Sequence, residues 1–202
     1  MSITRISELD HLRIGPAYNE SEFLAEEYPI EIQPQFNSGE PLRFISQECG
    51  PFDRRSTLYV PLWIAVYLER HGKCNIKEPN WLNLQSIKQK LREEREKGSE
   101  SFASFDDHFY QVAVILLNRD YLPTEYLGGQ LVRDQILSIL TEIHLVRKAK
   151  TLEGLKNINV TTNIVEISNM TSIERASIRC QSSVIMDTLM EYWSIRDRVY
   201  TR

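Results

Sequence analysis

The stretch VPLWIAVYLERHGKC, residues 60–74, ends with His71 and Cys74 three residues apart, the donor types and spacing of half a zinc site. A tetrahedral site takes four such ligands, and no second close pair of cysteine or histidine accompanies this one. The structural alternative is that His71 ends a helix and Cys74 is a small apolar filler in the next turn. Cys49, in ECGP, has the chemistry of a nucleophile if a histidine lies near it in space, with Gly50 as flexible backbone beside it. The four histidines, His11, His71, His108 and His144, all stand in ordinary sequence surroundings. The acidic pairs Glu26–Glu27 and Asp106–Asp107 read as helix starts, where caps and dipoles account for them without acid and base roles. Gly128 and Gly129 lie outside any GxxxxGK[ST] or GxGxxG pattern, so they read as a turn before a helix. No catalytic or metal-ligating set emerges; the chain is expected to be no enzyme and to use no cofactor.

The composition bounds what else the chain does. Its 202 residues, 42% hydrophobic and 26% charged with few glycines and prolines, fit a folded protein of one fair-sized core or two smaller units. A formal net charge of -4 gives no overall positive field for a phosphate backbone, so DNA contact is expected to be weak or indirect. Three widely spaced cysteines, Cys49, Cys74 and Cys180, suit a reducing compartment better than a disulfide framework. The first twenty residues mix charged and apolar types without the continuous apolar segment of a signal peptide. The longest apolar run, VAVILL at 112–117, is far short of the roughly 20 residues of a membrane span. Sequons at Asn19, Asn159 and Asn169 read as chance matches in a chain rich in Asn, Ser and Thr.

The elements follow from periodicity. NESEFLAEE predicts a short helix capped by Asn19 or Ser21 and ended by Pro29. YPIEIQP and PLRFIS, separated by QFNSGEP and followed by CGPFDRRS, predict a small β module that closes near residue 59. From Val60 onward the pattern is helical. Pro61 opens a first helix, with Leu62, Ala65, Val66 and Glu69 at helical spacing and Gly72 as its stop. Pro79 opens a second, striped by Leu84, Ile87 and Leu91 and stopped by Gly98. Its tail, KLREEREK, reads as a solvated face with pairs such as Glu93–Lys97. A third helix covers DDHFYQVAVILLN.

The fourth helix runs from about Gln130 to Leu155 on a stripe of Val132, Ile136, Ile139, Leu140, Ile143 and Val146. Arg147, Lys148 and Lys150 near its end read as complements to the helix dipole. The last helix, about Ser172 to Tyr200, carries two stripes: Ile173, Ala176, Cys180 and Val184 on one, Ile178, Ile185, Leu189 and Tyr192 on the other. Two apolar faces need two covers, and the second is supplied by deep burial or by another subunit. Trp63, Trp81 and Trp193 read as core anchors, with Trp193 the one that reaches a partner. The fold class is therefore mainly α with a small β module at the front.

Several stretches together resemble the second Psf-type subunits of the GINS complex, a eukaryotic replication factor. They are EFLAE, IEIQPQF, GPF, VPLWIAVYLERHGKCNI with PNWL, REEREKGSESF, FYQVAVILLN and LVRKAKTLEGL, in order and spacing over most of the chain. Residues 1–19 extend beyond the usual family start, and NINVTTNIVEISNMTSIE departs most, keeping Asn163, Glu166 and Ile167. The resemblance implies an N-terminal extension (1–19), a small β-rich domain with a leading helix (20–59) and a helical domain (60–202), with Pro61 and Trp63 at the junction. It implies a nuclear chain, one copy in a complex with three other GINS subunits, which binds the MCM hexamer and its Cdc-type protein cofactor to form the replicative helicase, away from any membrane. From pattern alone, Ile136, Ile143, Val146, Ile185, Leu189, Tyr192 and Trp193 are assigned to subunit packing, and Pro61, Trp63 and Trp81 to junction and core. The rival readings are a self-associating helical scaffold, another GINS paralogue with its domains exchanged, and a cysteine enzyme that Cys49→Ala would inactivate.

Overall fold

The computed structural model describes residues 16–45, 47–98, 101–117, 128–158 and 168–200, with the side chains at 16–19, 180–181 and 197–200 outside the description. The readings placed on residues 1–15, on Asn159, on Asn163, Glu166 and Ile167, and on the side chains of Asn19 and Cys180 lie outside the described residues. The first helix, α1 (Pro16–Ala25), begins at a proline, whose fixed φ suits a first turn. It starts ahead of the caps expected at Asn19 or Ser21; Ser21 is buried mid-helix, and Glu26–Glu27 follow the helix end instead of opening one.

Strand β1 (Pro29–Pro34) alternates as a half-buried strand should, with Ile30, Ile32 and Pro34 turned inward. It is the centre of a three-stranded antiparallel sheet between β4 (Leu58–Pro61) and β5 (Cys74–Ile76), where Ile32 faces Leu58 on one side and Ile76 on the other. A two-residue ladder, β2 (Leu42–Arg43) with β3 (Glu48–Cys49), forms a separate hairpin. Between β4 and β5 lies α2 (Leu62–Arg70), which buries Leu62, Ile64, Ala65 and Leu68.

Strand β5 corrects the expectation that the chain is helical from Val60 onward and that the β module closes near residue 59. The three residues Cys-Asn-Ile are too few to show a period, and only their pairing with β1 makes them a strand. Pro61 and Trp63 therefore lie inside the sheet unit: Pro61 ends β4, and Trp63 packs edge-on against Phe44 of the hairpin at 5.1 Å. The residue that spans from this unit to the helices is Trp81, whose Nε1 donates to the Tyr28 hydroxyl at 3.1 Å while its ring lies 5.0 Å from that of Phe109.

The end of α2 shows why Gly72 is a stop. Gly72 N–H donates to Glu69 O and Lys73 N–H to Leu68 O, both at 2.8 Å, a paired closure that requires the glycine's left-handed φ of +60°. The next helix, α3 (Leu84–Glu96), opens at Asn83, whose side chain accepts from Ser86 N–H at 2.7 Å. Pro79, the expected opener, instead begins a turn that Leu82 N–H closes on Pro79 O. The expected stripe is present, with Ile87 and Leu91 buried and Leu84 partly so.

Helix α4 (Phe109–Leu117) is apolar on all sides save for Gln111 and buried at every residue but Val114, so it is the central rod of the helical part. Helix α5 (Gln130–Lys156) packs along α3, and α6 (Ser172–Tyr200) sets its start against α1. Gly129, at φ +95°, is the residue from which α5 starts, a conformation open to glycine and strained for other residues. One apolar core runs from Ile30 and Ile32 in the sheet through Leu82, Ile87 and Val112 to Ile136, Ile143 and Ile173.

Candidate assembly surface

The residues first singled out for chemistry are not brought together. His71 is exposed at the end of α2, with Nδ1 2.7 Å from the Tyr67 carbonyl and its ring against that of Tyr67. Cys74 is buried in β5, its thiol turned to the Ala65 carbonyl at 3.6 Å, and burial followed by the nearby Glu69 charge pushes it up to about 12. Cys49 is buried as well, and the same two kinds of effect, burial first and then Glu27, raise its thiol. A thiol so shifted is protonated near neutrality and a poor nucleophile or ligand. Among the described residues no group of three or more His, Cys, Asp or Glu is placed to hold a metal.

The helices place the apolar residues in two different environments. Ile136 and Ile143 are fully buried within the chain, which removes them from any outer surface. They lie with Leu140 on the face of α5 turned to the core, and Val146 is only partly covered. Exposed on α5 are Leu131, Leu145 and Leu152 instead.

On α6 the buried described side chains, Ile173, Glu174 and Ile178, all belong to its first two turns. Beyond Ile178 no described side chain of α6 is buried, although apolar residues continue. Ile185, Leu189 and Trp193 are half-buried, whereas Val184 (61% exposed), Met190 (65%), Tyr192 (50%) and Ile195 (51%) stand open. Arg196 lies over the Trp193 ring, 4.0 Å from its centroid, and covers one side of it. A long helix whose apolar residues continue with no buried side chain among those described beyond Ile178 has the chemistry of a protein-binding face.

The base of this helix is held by charges that include Glu94, read from sequence as part of a solvated tail, and Arg147 and Lys150, read as complements to a helix dipole. Arg147 is fully buried and uses all five of its N–H donors. Nε and one terminal nitrogen grip the two Glu174 oxygens at 2.7 and 2.8 Å; the others reach Glu94 Oε2 at 2.8 Å, Ala103 O at 3.1 Å and Asn169 O at 2.7 Å. The Phe102 and Phe105 rings lie 4.8 Å from the guanidinium carbon. Lys150 completes the cluster on Glu94 Oε1 at 2.8 Å and on the Lys97 carbonyl, at the C-terminal end of α3. Two cations thus meet two carboxylates, and the buried set is neutral.

Burial alone would raise the Glu174 carboxyl, but the Arg147 hydrogen bonds and charge, with the Thr171 N–H, outweigh it and hold the group below its ordinary value. Burial likewise works against the Arg147 charge, and the Glu174 contacts more than restore it. Tyr110, whose hydroxyl reaches Glu174 at 3.4 Å, is pushed well up by burial first and by Glu174 second.

This cluster corrects two expectations. Arg147 and Lys150 are not dipole complements at a solvated helix end, and KLREEREK is not wholly solvated, because Glu94 is fully buried. Glu93 pairs with Lys90 at 3.7 Å, while Lys97 Nζ donates to Phe102 O at 3.1 Å. The missed signal was spacing. Glu94 follows Ile87 and Leu91 on the α3 stripe, and Arg147 follows Ile136, Leu140 and Ile143 on the α5 stripe, so each charge occupies a core position.

A second pin stands beside the first. Gln111 of α4 donates from Nε2 to Ser21 Oγ and, at 3.0 Å, to Ser172 Oγ, which is itself 2.8 Å from Ser21 Oγ. At the same turn of α6, Arg175 forms an exposed pair with Asp107 at 2.7 Å and donates to Met170 O at 2.6 Å.

Comparison with known proteins gives two family matches in succession. Residues 17–77 match the PSF2 N-terminal domain, and residues 81–193 match the GINS complex protein helical bundle domain. The chain is 30% identical over 185 residues to the DNA replication complex GINS protein PSF2 of Debaryomyces hansenii, covering 90% of this chain and 84% of that one. It is 26% identical over 202 residues to the protein of that name from Saccharomyces cerevisiae, covering 90% and 89%, and 32% identical over 118 residues to the one from Homo sapiens, covering 57% and 62%.

Proposed function

The chain belongs to the PSF2 family of DNA replication complex GINS proteins, and from that premise we propose that it is a non-catalytic clamp subunit in the nucleus. It enters one complex with three other GINS subunits, and that complex holds the MCM hexamer and its Cdc-type protein cofactor in the geometry of the active helicase. Its contribution is pre-organisation: added interface favours the translocating arrangement, while ATP is hydrolysed elsewhere. DNA contact is weak or indirect. We divide the chain into a sheet unit that ends with β5 and a helical unit that starts near Trp81, in place of a boundary at residue 59.

The observation that carries this reading is the run of α6 beyond Ile178, where apolar residues continue without a buried side chain among those described. Val184, Met190, Tyr192 and Ile195, with half-buried Ile185, Leu189 and Trp193, form the surface we assign to partner subunits. Coexpression with the three other GINS subunits of the same organism, followed by mass measurement on the eluted species, tests it. The expected result is one complex with a single copy of each chain and self-association of the chain when made alone. A lone monomer or homo-oligomer that ignores the other three would refute it.

A further inference from the structure

We propose that Arg147 is a positioning residue for assembly: its fork on Glu174 sets the direction in which α6 leaves the body, and so where Tyr192 and Trp193 meet a partner subunit. The inference rests on the assembly reading of α6 given above.

Leverage is the first consideration. Among the described residues the buried side chains of α6 lie at its first two turns, and from Ile178 to Tyr200 the helix runs on for about 33 Å at 1.5 Å per residue. A tilt of about 10° at the base displaces Trp193, about 22 Å along, by about 4 Å, and the end of the helix by about 6 Å. Side chains that interdigitate at interior packing density do not tolerate a shift of that size.

Directionality is the second. Ile173 and Ile178 hold α6 by apolar burial, which resists separation but leaves the angle a scatter of about 15–20°. The guanidinium fork narrows it, because two parallel hydrogen bonds to one carboxylate align two planar groups. Its plane is in turn held by Glu94 on α3, by the Ala103 and Asn169 carbonyls, and by the Phe102 and Phe105 rings. The orientation of α6 is thus referred to α3, to α5, to the segment before α4 and to the segment before α6 itself. A lysine would keep the charge and lose the fork.

The third consideration is energetic. A buried ion pair is a poor route to stability, since apolar groups of similar volume do as well or better, whereas a geometric role gives it a use. The exposed Arg175–Asp107 pair braces the same turn from the outside at 2.7 Å.

The test is competition. A variant of the full chain and the tagged wild-type chain are coexpressed with limiting amounts of the other three subunits, and their ratio in the purified complex is read by mass spectrometry. Arg147→Lys is expected to enter about tenfold less well, and Trp193→Ala to lose ground on its own. Glu174 and Trp193 are about 28 Å apart along the helix, a separation at which independent effects multiply. If Arg147 acts through the position of the tip, the doubly substituted chain falls short of that product by at least about threefold, because a misplaced Trp193 has less to lose.

A loss of folded chain would lower single and double variants by the same factor and leave the product intact, so simple multiplication overturns the positioning role. Arg175→Met leaves no buried charge behind; its cycle with Trp193→Ala is expected to show the same coupling with smaller effects, and it decides the matter if Arg147→Lys does not accumulate. Trp193→Ala competing as well as wild type would instead remove the assembly reading of α6, and the inference with it.

Discussion

Replacing Arg147 by methionine keeps most of the volume and removes the charge, so its effect isolates the ionic cluster. Five hydrogen bonds disappear together. Glu94 keeps Lys150 at 2.8 Å, but Glu174 is left with the Thr171 N–H at 2.9 Å and the Tyr110 hydroxyl at 3.4 Å. Removal of one partner from a buried pair costs about 3–5 kcal/mol, and the remaining bonds at Glu174 place this case toward the lower end. Hydrogen exchange in the assembled complex reads that loss locally, because backbone amides of α5 and the first turns of α6 exchange through openings that the cluster opposes. A loss of about 3 kcal/mol accelerates their exchange roughly 150-fold. Adding Glu174→Leu to Arg147→Met removes the stranded carboxylate and should recover much of the protection. Exchange within about threefold of wild type for Arg147→Met, or a double variant no better than the single one, would refute the reasoning, since either result means that the carboxylate was never stranded.

Three further outcomes follow from other sites. Glu174 is held below its ordinary value of 4.5, so the unfolded chain binds that proton more readily than the folded one. Its contribution to stability is therefore full above the unfolded value and lost as pH falls through the folded value, and in acid titrations followed by circular dichroism the gap between wild type and Glu174→Gln should close below about pH 4.5; a constant gap contradicts this. Cys74, with its thiol near 12, should stay unmodified by a thiol reagent at pH 8 in the native protein and react once denaturant exposes it, as read by peptide mass. Gly72→Ala should destabilise by about 1 kcal/mol in a thermal unfolding series through its positive φ alone, since nothing lies within 4 Å of an added Cβ, while Gly39→Ala, equally open and without that φ, should be near neutral.

What could be read from the chain, and what could not, follows from the range of the forces involved. Helices α5 and α6 were legible to within a residue or two because each carries many turns of periodic apolar residues. β1 was legible from its alternation. β5 was not, since three residues between a helix stop and a proline carry no period, and its partner strand lies some forty positions earlier. The helix openers were misplaced for a related reason: Pro79 and Asn83 both suit a helix start, and the choice depends on where Trp81 must go to reach Tyr28 and Phe109. For the assembly surface, the two-faced pattern of α6 was visible, but Ile136 and Ile143 were misassigned because a stripe says that a face is covered and not by what.

The charges at stripe positions carry the deeper lesson. Glu94 and Arg147 each continue an apolar stripe, on α3 and on α5, and charges of opposite sign at core positions of two helices are satisfied most directly by each other. Once that pairing is admitted, Lys150 three residues on has its place on the other oxygen of the same carboxylate. Arg147 is then left with donors to spare, which a second acidic group can meet; Glu174, in the first turn of α6, is that group. Four charged positions, each ordinary when read alone, become, taken together, the statement that α3, α5 and the start of α6 converge. Ser21, Gln111 and Ser172 make the corresponding polar statement for α1, α4 and α6, so the leading helix is tied to the base of α6 and not to the sheet alone. Apolar burial brings these elements together and leaves the angle a scatter of about 15–20°, and the two polar pins at one end of α6 narrow it.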